Sequence, residues 1–344
     1  MEQTTRNLVT FCLQPHSPQP LALAIRLMVK FEGHSALNHV YELICDDSRS
    51  VKWLFLLEPC VKILQGHITT LVLRDCDIGL EEIKTLSILC DDLPVTVLDL
   101  GCNRIQDEGS QYVAIFMQAS LNLITLNLEY NGITQVGAQI LAPVIAQHPT
   151  LCHLQLCGNQ LRDGGALALA AILANHRVLL DLNLACNQIG REGGVAIARS
   201  LQSQRFLHKL DLHSNRIEDA GARALGRALC TNPGLTELNL MANDIQTEGI
   251  QALADALIRN TNLLKLSLGL MDLVRPAKDY INDAVAKYLA AALQQNATLQ
   301  VLLLGYADIG IGPSGVLAFV QMLEINSAII DLCLPFSSFK QKKN

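Results

Sequence analysis

Cysteine and histidine are the residues of this chain with the most chemistry available to them. A thiol becomes a strong nucleophile when a neighbouring base or cation helps to remove its proton. Cys157 and Cys186 are the candidates, but the sequence places no histidine level with either of them. The five histidines from His148 to His213 include no HExxH sequence and no zinc-type Cys/His spacing. We therefore expect no catalytic residue, no metal and no cofactor.

Paired glycines raise the question of phosphate binding. Gly193-Gly194 is not followed by the Lys-Ser/Thr pair of a P-loop, so that interpretation fails. Glycine instead recurs at one fixed position, at Gly109, Gly137, Gly165, Gly193, Gly221 and Gly249. We expect these glycines to allow close packing where helices begin.

The elements around these residues follow from a phrase that returns five times between Leu123 and Ile245. An apolar residue is followed by two others, Leu, one other, Leu, two others and Asn, as in Leu123-Ile-Thr-Leu-Asn-Leu-Glu-Tyr-Asn131. Successive Asn residues of the phrase are 28 positions apart. A fixed period of this length indicates a solenoid of stacked repeats.

Each repeat divides into a short strand and a helix. Two Leu residues two positions apart face the same side of a strand, and only stacked copies can bury them. The Asn that follows can hydrogen-bond to the backbone of its own and the adjacent repeat. Segments such as 137–145 carry apolar residues at helical spacing, which predicts a helix with one buried face.

The phrase resembles the leucine-rich repeat family, in particular its ribonuclease-inhibitor-like subtype with 28-residue repeats, as in NOD-like receptors and the Ran GTPase-activating protein. The resemblance implies an α/β fold, a leucine-rich-repeat solenoid with a curved parallel inner β-sheet and outer α-helices. It also implies a non-enzymatic scaffold that binds a partner protein through its concave face. An intracellular regulator is one setting for such a scaffold, and a bacterial effector acting on a host protein is another.

We expect one continuous domain with twelve strand phrases. Residues 1–67 are interpreted as degenerate N-terminal capping repeats, 68–294 as regular leucine-rich repeats, and 295–344 as divergent C-terminal repeats and a tail. One step lengthens to 36 residues, and the extra residues fall in the insertion 272–280, before a helix predicted over Asn282–Leu293. Insertions of this kind map to loops that often bind partners.

Two surfaces are candidates for the partner. The first comprises polar residues on the exposed side of the predicted sheet: Asn127, Glu129, Gln155, Asp181, Asn183, Asp211, His213, Glu237 and Asn239. The second is the C-terminal end of the solenoid, which supplies the aromatic and arginine anchors Arg275, Tyr280 and Tyr306. We expect a broad contact over the first surface that is anchored at the second.

Composition disfavours several other partners. The net charge is −6 and only 17% of residues are charged, which argues against nucleic acid and anionic membrane surfaces. No apolar stretch is long enough to span a bilayer. Eleven cysteines without a CxxC pair are typical of free thiols in a reducing compartment. We expect a cytoplasmic monomer, located in the host cytosol if it is a delivered effector, that binds no small-molecule substrate.

The enzymatic alternative is activation of a GTPase. Such activators commonly insert an arginine that neutralises charge in the transition state of hydrolysis. Four arginines follow the Asn of a phrase on predicted rim loops: Arg104, Arg162, Arg191 and Arg216. No loop of this chain carries the motif of the Ran-activating protein, and that family's long acidic tail is absent. We therefore keep this function as the alternative and expect the loop arginines to be solvated or paired with acids.

Overall fold

The computed structural model describes residues 8–13, 40–45, 68–89, 93–269, 282–305 and 311–334. The insertion 272–280, with Arg275 and Tyr280, lies outside these residues, and so does Tyr306. The chain divides into two compact units, residues 1–159 and 160–344. Both units are built of the strand-and-helix repeats that the sequence predicts.

Strands of the first unit pair in parallel, each with the next strand along the chain. They are β1 (Leu8–Leu13), β2 (Val40–Cys45), β3 (Ile68–Val72), β4 (Val97–Asp99), β5 (Thr125–Asn127) and β6 (His153–Gln155). The described helices of this unit are α1 (Leu80–Leu89), α2 (Gln106–Ala119) and α3 (Gln135–Gln147). Each of these helices follows a strand of the phrase, as the repeat requires.

The second unit has the same parallel arrangement. Its strands are β7 (Asp181–Asn183), β8 (Lys209–Asp211), β9 (Glu237–Asn239), β10 (Lys265–Ser267), β11 (Val301–Leu303) and β12 (Asp331–Cys333). Its described helices are α4 (Arg162–Leu173), α5 (Arg191–Leu201), α6 (Glu218–Leu229), α7 (Thr247–Arg259), α8 (Asp283–Leu293) and α9 (Pro313–Leu323). The predicted α/β solenoid is confirmed.

The two leucines of each phrase form the core. Leu126 and Leu128 are fully buried, whereas the residue between them, Asn127, is half-buried. Full burial of one such side chain contributes about 2 kcal/mol, so the stacked leucines fix which side of the sheet faces solvent. Among the described helices, none is both long and apolar enough to cross a membrane.

The lengthened step near the C-terminus leaves the sheet in register. Lys265 pairs with Val301 although 36 residues separate them in sequence. The following helix begins at Asp283 because Asn282 caps it, with Asn282 Oδ1 accepting the Val285 N–H at 3.0 Å. The prediction of a helix over Asn282–Leu293 is therefore confirmed to within its cap residue.

The recurring Asn binds the backbone of two repeats, as predicted. Asn215 is buried, and its Oδ1 accepts the N–H groups of Asn187 and Ile189 at 3.0 and 2.9 Å. Its Nδ2 donates to the carbonyls of Leu184 and Leu212 at 3.0 and 2.8 Å. One side chain thus satisfies four backbone groups that would otherwise be buried without partners.

Every second repeat carries an aspartate that closes the next loop. Asp107 Oδ1 accepts the N–H groups of Thr134 and Gly137 at 2.8 and 2.9 Å. Asp163 and Asp219 make the same kind of paired bond, one and two steps of 56 residues later. A Cβ at Gly137 would lie 2.7 Å from Asp107 Oδ1, which confirms the close-packing role of that glycine. This aspartate contact therefore recurs once in every pair of repeats.

Two of the five histidines belong to a second ladder, where helices end. His148 Nε2 lies 3.1 Å from the Ser120 carbonyl oxygen, and its Nδ1 accepts the Thr150 N–H at 3.4 Å. His176 Nδ1 accepts the Leu179 N–H at 3.0 Å. In the next three repeats the equivalent position holds an amide side chain, which binds backbone groups in the same way: Gln204, Asn232 and Asn260. These two histidines therefore have a structural role.

Candidate partner-binding face

We call the solvent side of the sheet in each unit its strand face, which comprises the residues immediately before, between and after the two buried Leu of a phrase. In the first unit, Asn127, Glu129 and Gln155 lie half-buried on this face. In the second unit, six half-buried residues on or just after β7, β8 and β9 share it: Asp181, Asn183, Asp211, His213, Glu237 and Asn239. The structure thus places the predicted residues of each unit on one side of its sheet.

The middle residue of several phrases also forms a hydrogen bond with the backbone. Asn127 Oδ1 accepts the N–H of Glu129 at 2.9 Å. Asn183, Asp211 and Asn239 make the same bond to the residue two positions on, at 3.0, 2.9 and 3.2 Å. Such turns fix the end of the strand. One side-chain oxygen is therefore engaged, and a partner would use the remaining atoms.

The first unit carries a group of side chains that we call the guanidinium cluster: Arg74, Asp99, Cys102 and Glu129. Arg74 crosses over β4 to form an ion pair with Glu129 on the repeat beyond it. Its Nη2 also donates to Cys102 Sγ at 3.3 Å. This crossing depends on Gly101, because a Cβ there would lie 2.7 Å from Arg74 Nη1.

Burial and nearby carboxylates keep the thiol of the guanidinium cluster protonated. Burial raises the pKa of Cys102, and the nearby carboxylates of Glu129, Asp75 and Asp99 raise it further, against the opposing influence of Arg74. Burial disfavours the charged form of Arg74, but its hydrogen bond to Glu129 outweighs burial and raises the pKa of the guanidinium. Cys102 is therefore an acceptor for Arg74 and a poor nucleophile.

The second unit carries a different group, which we call the imidazole cluster: Cys186, Asp211, His213 and Asn239. His213 Nε2 lies 3.7 Å from Cys186 Sγ, and His213 Nδ1 lies 2.9 Å from Asp211 Oδ1. Asn239 Nδ2 donates to the other carboxylate oxygen, Asp211 Oδ2, at 3.1 Å. The expectation that Cys186 has no histidine at its level is therefore wrong.

The offset between strands explains that error. In the loops after the strands, the Cys186 N–H donates to the His213 carbonyl at 2.9 Å, so residues 27 apart are neighbours. The sequence comparison placed residues 28 apart side by side, which holds for strand partners such as Leu210 and Leu238. Hydrogen bonds between parallel strands are slanted, so donor and acceptor residues are 27 apart even where strand partners are 28 apart, and the imidazole lies beside the thiol at this offset.

Asp211 is ionised in this arrangement. Its burial opposes the charge, but hydrogen bonds from the His213 side chain and backbone, with a further one from Asn239, lower the pKa of Asp211 below its ordinary value. A carboxylate accepts hydrogen bonds only, so the proton of the neutral imidazole resides on Nδ1. The lone pair of Nε2 then points toward Cys186. Within the described part of the chain, no group of three or more His, Cys, Asp or Glu could hold a metal ion.

A row of alternating charge runs along the strand face of the second unit. Asp181, Lys209, Glu237 and Lys265 occupy the position before the first Leu of four successive phrases. Lys209 Nζ lies 3.0 Å from Glu237 Oε1, and the hydrogen bond with that carboxylate raises the pKa of Lys209. Lys209 and Lys265 were not predicted as site residues, although this alternation is visible once the 28-residue columns are aligned.

The rim-loop arginines divide into two kinds. Arg104 Nε lies 2.9 Å from Asp77 Oδ1, and Arg191 lies 3.4 Å from Glu218. Arg162 and Arg216 are exposed and form no ion pair with the residues that the structure describes. The acids of the alternate loops bind backbone N–H groups instead of these arginines.

Comparison with known proteins agrees with this architecture. The profile of the family described as "Leucine Rich repeat" matches six segments, residues 94–114, 119–142, 147–170, 175–198, 203–226 and 231–254. A search of curated proteins finds no match to the sequence.

Two solved structures are similar to this chain, one over most of its length and one over less than half of it. The chain resembles the structure titled as the complex of Rad7 and Elc1 in yeast, with 18% identity and a TM-score of 0.55 over 90% of this chain and 71% of that chain. It also resembles leiomodin-1 actin-binding site 2, with 22% identity and a TM-score of 0.38 over 47% of this chain and 88% of that chain. Residues 94–254 are therefore leucine-rich repeats, and the chain folds as an α/β leucine-rich-repeat solenoid.

Proposed function

We propose that the chain is a non-enzymatic scaffold that binds a partner protein through its strand face, with the second unit supplying the central contact. The observation that carries this proposal is the alternating row of Asp181, Lys209, Glu237 and Lys265. A partner with the opposite alternation would be held in one register, because each one-repeat shift would oppose like charges. A row of this kind favours a protein ligand of mixed charge over a polyanion.

Preorganisation of this face supports the proposal. Asn183, Asp211 and Asn239 are fixed by bonds to their own backbone, and Lys209 is held by Glu237. Side chains that are already ordered lose less conformational entropy when a partner binds. The polar groups are therefore presented in a defined geometry before the partner arrives.

The proposed contact extends beyond the strands. A standard interface covers about 800 Å² on each partner, which is more than a few three-residue strands present. We propose that three exposed residues that follow the strands enlarge the contact: the loop residues Arg216 and Asp244, and Arg191, the first residue of α5. We propose that Arg275, Tyr280 and Tyr306 supply the anchors at the C-terminal end.

The cellular setting that we propose is the cytoplasm, with the chain acting as a monomer. Seven cysteines are free thiols, as a reducing compartment would maintain them: Cys76, Cys102, Cys152, Cys157, Cys186, Cys230 and Cys333. The 28-residue step and the helix in each regular repeat support the ribonuclease-inhibitor-like subtype.

One observation favours a second candidate, activation of a GTPase. Arg162 and Arg216 are exposed on equivalent loops of alternate repeats, as arginines that enter a partner's active site would be. Faster GTP hydrolysis that is lost in both Arg162→Ala and Arg216→Ala, but not in Arg104→Ala, would select this function over the scaffold.

The proposed binding face can be tested by a double charge reversal. Asp181→Lys combined with Lys265→Glu inverts both ends of the charged row and leaves the net charge unchanged. Arg199→Glu combined with Asp255→Lys makes the same exchange on exposed residues of α5 and α7, and it serves as the matched control. Quantitative affinity capture is run with wild type and both variants, after circular dichroism has shown that each is folded.

The scaffold proposal predicts a protein that is captured by wild type and by the helix variant, and is reduced at least tenfold with the strand-face variant. Equal capture by all three baits would mean that the partner binds elsewhere, and the strand face would be rejected as its site. Absence of any protein enriched over an unrelated bait would contradict the scaffold function itself.

A further inference from the structure

We propose that Cys186 is a reactive thiol whose proton is accepted by His213, and that it forms covalent adducts with α,β-unsaturated carbonyl compounds. The cluster brings together three groups that act in sequence. Cys186 supplies the nucleophile, His213 the base, and Asp211 holds the imidazole in the required tautomer. The cluster lies on the strand face, but the reactivity of its thiol does not depend on a partner and can be tested without one.

The distances support proton transfer from Cys186 to His213, with Asp211 holding the imidazole in place. Cys186 Sγ lies 3.7 Å from His213 Nε2, within hydrogen-bonding reach for sulfur, so the thiol is the donor when Nε2 carries no proton. Asp211 Oδ1 lies 2.9 Å from His213 Nδ1 and places the proton there. The carboxylate is itself fixed, because Oδ1 accepts the His213 N–H at 2.9 Å and Oδ2 accepts Asn239 Nδ2 at 3.1 Å. A nucleophile, a base and a group that orients the base are the parts of an activated-nucleophile site.

The backbone of Cys186 is not what distinguishes it. Its φ of 55° lies in the left-handed region, but Cys102, Ser214 and Ala242 have φ values of 56°, 54° and 54° at the same position of other repeats. The distinguishing feature is the side chain that the neighbouring repeat presents. Cys186 is also only half-buried, so a small electrophile in solvent can reach the sulfur.

The reaction needs only the groups present and the acceptor. His213 Nε2 takes the thiol proton, and the sulfur attacks the β-carbon of the acceptor, so that an S–C bond forms and the C=C π bond breaks. The electron pair of the π bond moves toward the carbonyl and gives an enolate, which the acceptor's own carbonyl stabilises. The imidazolium then returns its proton to the α-carbon. No oxidant, reductant or leaving group is required.

Acrylamide is a suitable probe because it reacts slowly with unassisted thiols. The full chain is incubated with acrylamide at pH 7, and the rate at each cysteine is followed by peptide mass spectrometry. Cys102 and Cys230, both half-buried, are the internal reference thiols. We expect Cys186 to react on the order of 10-fold faster than either, which is a modest share of the acceleration that general-base assistance can give.

Variants separate base assistance from exposure. His213→Ala should lower the rate at Cys186 to that at Cys230, and imidazole added to the solution should restore much of it. A structural loss would not be restored in this way. His208→Ala removes an exposed histidine from the same repeat and should leave the rate unchanged. If His213→Ala is not folded by circular dichroism, His213→Gln replaces it.

Two results would overturn the proposal. Wild-type Cys186 that reacts no faster than Cys230 would show that the imidazole gives no assistance, whatever the variants do. A folded His213 variant that keeps the wild-type rate would assign the reactivity to exposure alone.

Discussion

Cys102 and Cys186 occupy the same position of repeats that lie 84 residues apart, and both have a left-handed backbone. The N–H of each donates to the carbonyl of the residue 27 positions later, which is Glu129 for Cys102 and His213 for Cys186. Burial and the carboxylate of Glu129 raise the pKa of the Cys102 thiol, which accepts a hydrogen bond from Arg74. Beside His213, the thiol of Cys186 faces a base. The repeat backbone is thus a common frame, and the side chains that neighbouring repeats present distinguish the two thiols.

The largest expected effect on stability tests whether the recurring Asn supports the repeat backbone equally in both units. Asn103 and Asn215 each accept two backbone N–H groups at 2.9–3.0 Å and donate to two leucine carbonyls. Replacing either with Ala leaves these buried groups without partners, and we expect a loss of about 3 kcal/mol in the free energy of unfolding in each case. Urea denaturation at pH 7 measures both.

Unequal losses would contradict the comparison. If Asn103→Ala costs much less than Asn215→Ala, the two units do not share one frame, and the cysteine environments differ for more reasons than their neighbours. Gln188→Ala, which changes an exposed loop residue next to the ladder, provides the control and should alter the free energy of unfolding by less than about 0.5 kcal/mol.

The sequence predicted the frame well because the frame follows from a pattern repeated many times. Leucine spacing identifies the buried side of the sheet, and the Asn of each phrase makes the backbone hydrogen bonds that the sequence predicts. The loop-closing aspartates Asp107, Asp163 and Asp219 recur every 56 residues, so only a comparison of alternate repeats shows them.

The clusters were harder to predict than the frame. The contact of Cys186 with His213 joins residues 27 apart, so aligning the 28-residue columns of the repeat does not show it. The reach of Arg74 across β4 depends on the absence of a side chain at Gly101. Both contacts are fixed by local geometry at single positions, so an average over repeats does not show them.

An intermediate effect sharpens the contrast at the position that follows the second Leu. Gly101 occupies this position in the repeat of Cys102, and Ala185 occupies it in the repeat of Cys186. Gly101→Ala places a carbon 2.7 Å from Arg74 Nη1, so the guanidinium must shift, and we expect its ion pair with Glu129 to weaken. We expect a loss of about 1 to 2 kcal/mol in the free energy of unfolding, in the range found for overpacked sites.

A double-mutant cycle identifies the source of that loss. In an Arg74→Ala background, the cost of Gly101→Ala should fall to a few tenths of a kcal/mol, because no guanidinium is displaced. An undiminished cost would mean that Asp99 or the backbone is crowded instead, and the dependence of the guanidinium cluster on Gly101 would be rejected.

The smallest expected effect concerns acid stability in the imidazole cluster. The pKa of Asp211 is lowered in the folded protein, so its carboxylate stabilises the fold above the ordinary aspartate pKa of 3.8. That stabilisation is lost as the pH falls through the lower, folded value. Asp211→Asn should therefore cost about 1 kcal/mol at pH 7 and progressively less as the pH approaches 2, where wild type is protonated as well.

Urea denaturation of wild type and Asp211→Asn at pH 7, 4 and 2.5 gives the difference directly. His213→Ala removes the donor that contributes most to lowering the pKa of Asp211, so Asp211→Asn made in that background should show a weaker dependence on pH. A difference between wild type and Asp211→Asn that stays constant from pH 7 to 2.5 would mean that Asp211 acts by packing alone. The imidazole of His213 would then lack an ionised partner, and the contrast between the two thiols would lose its electrostatic basis.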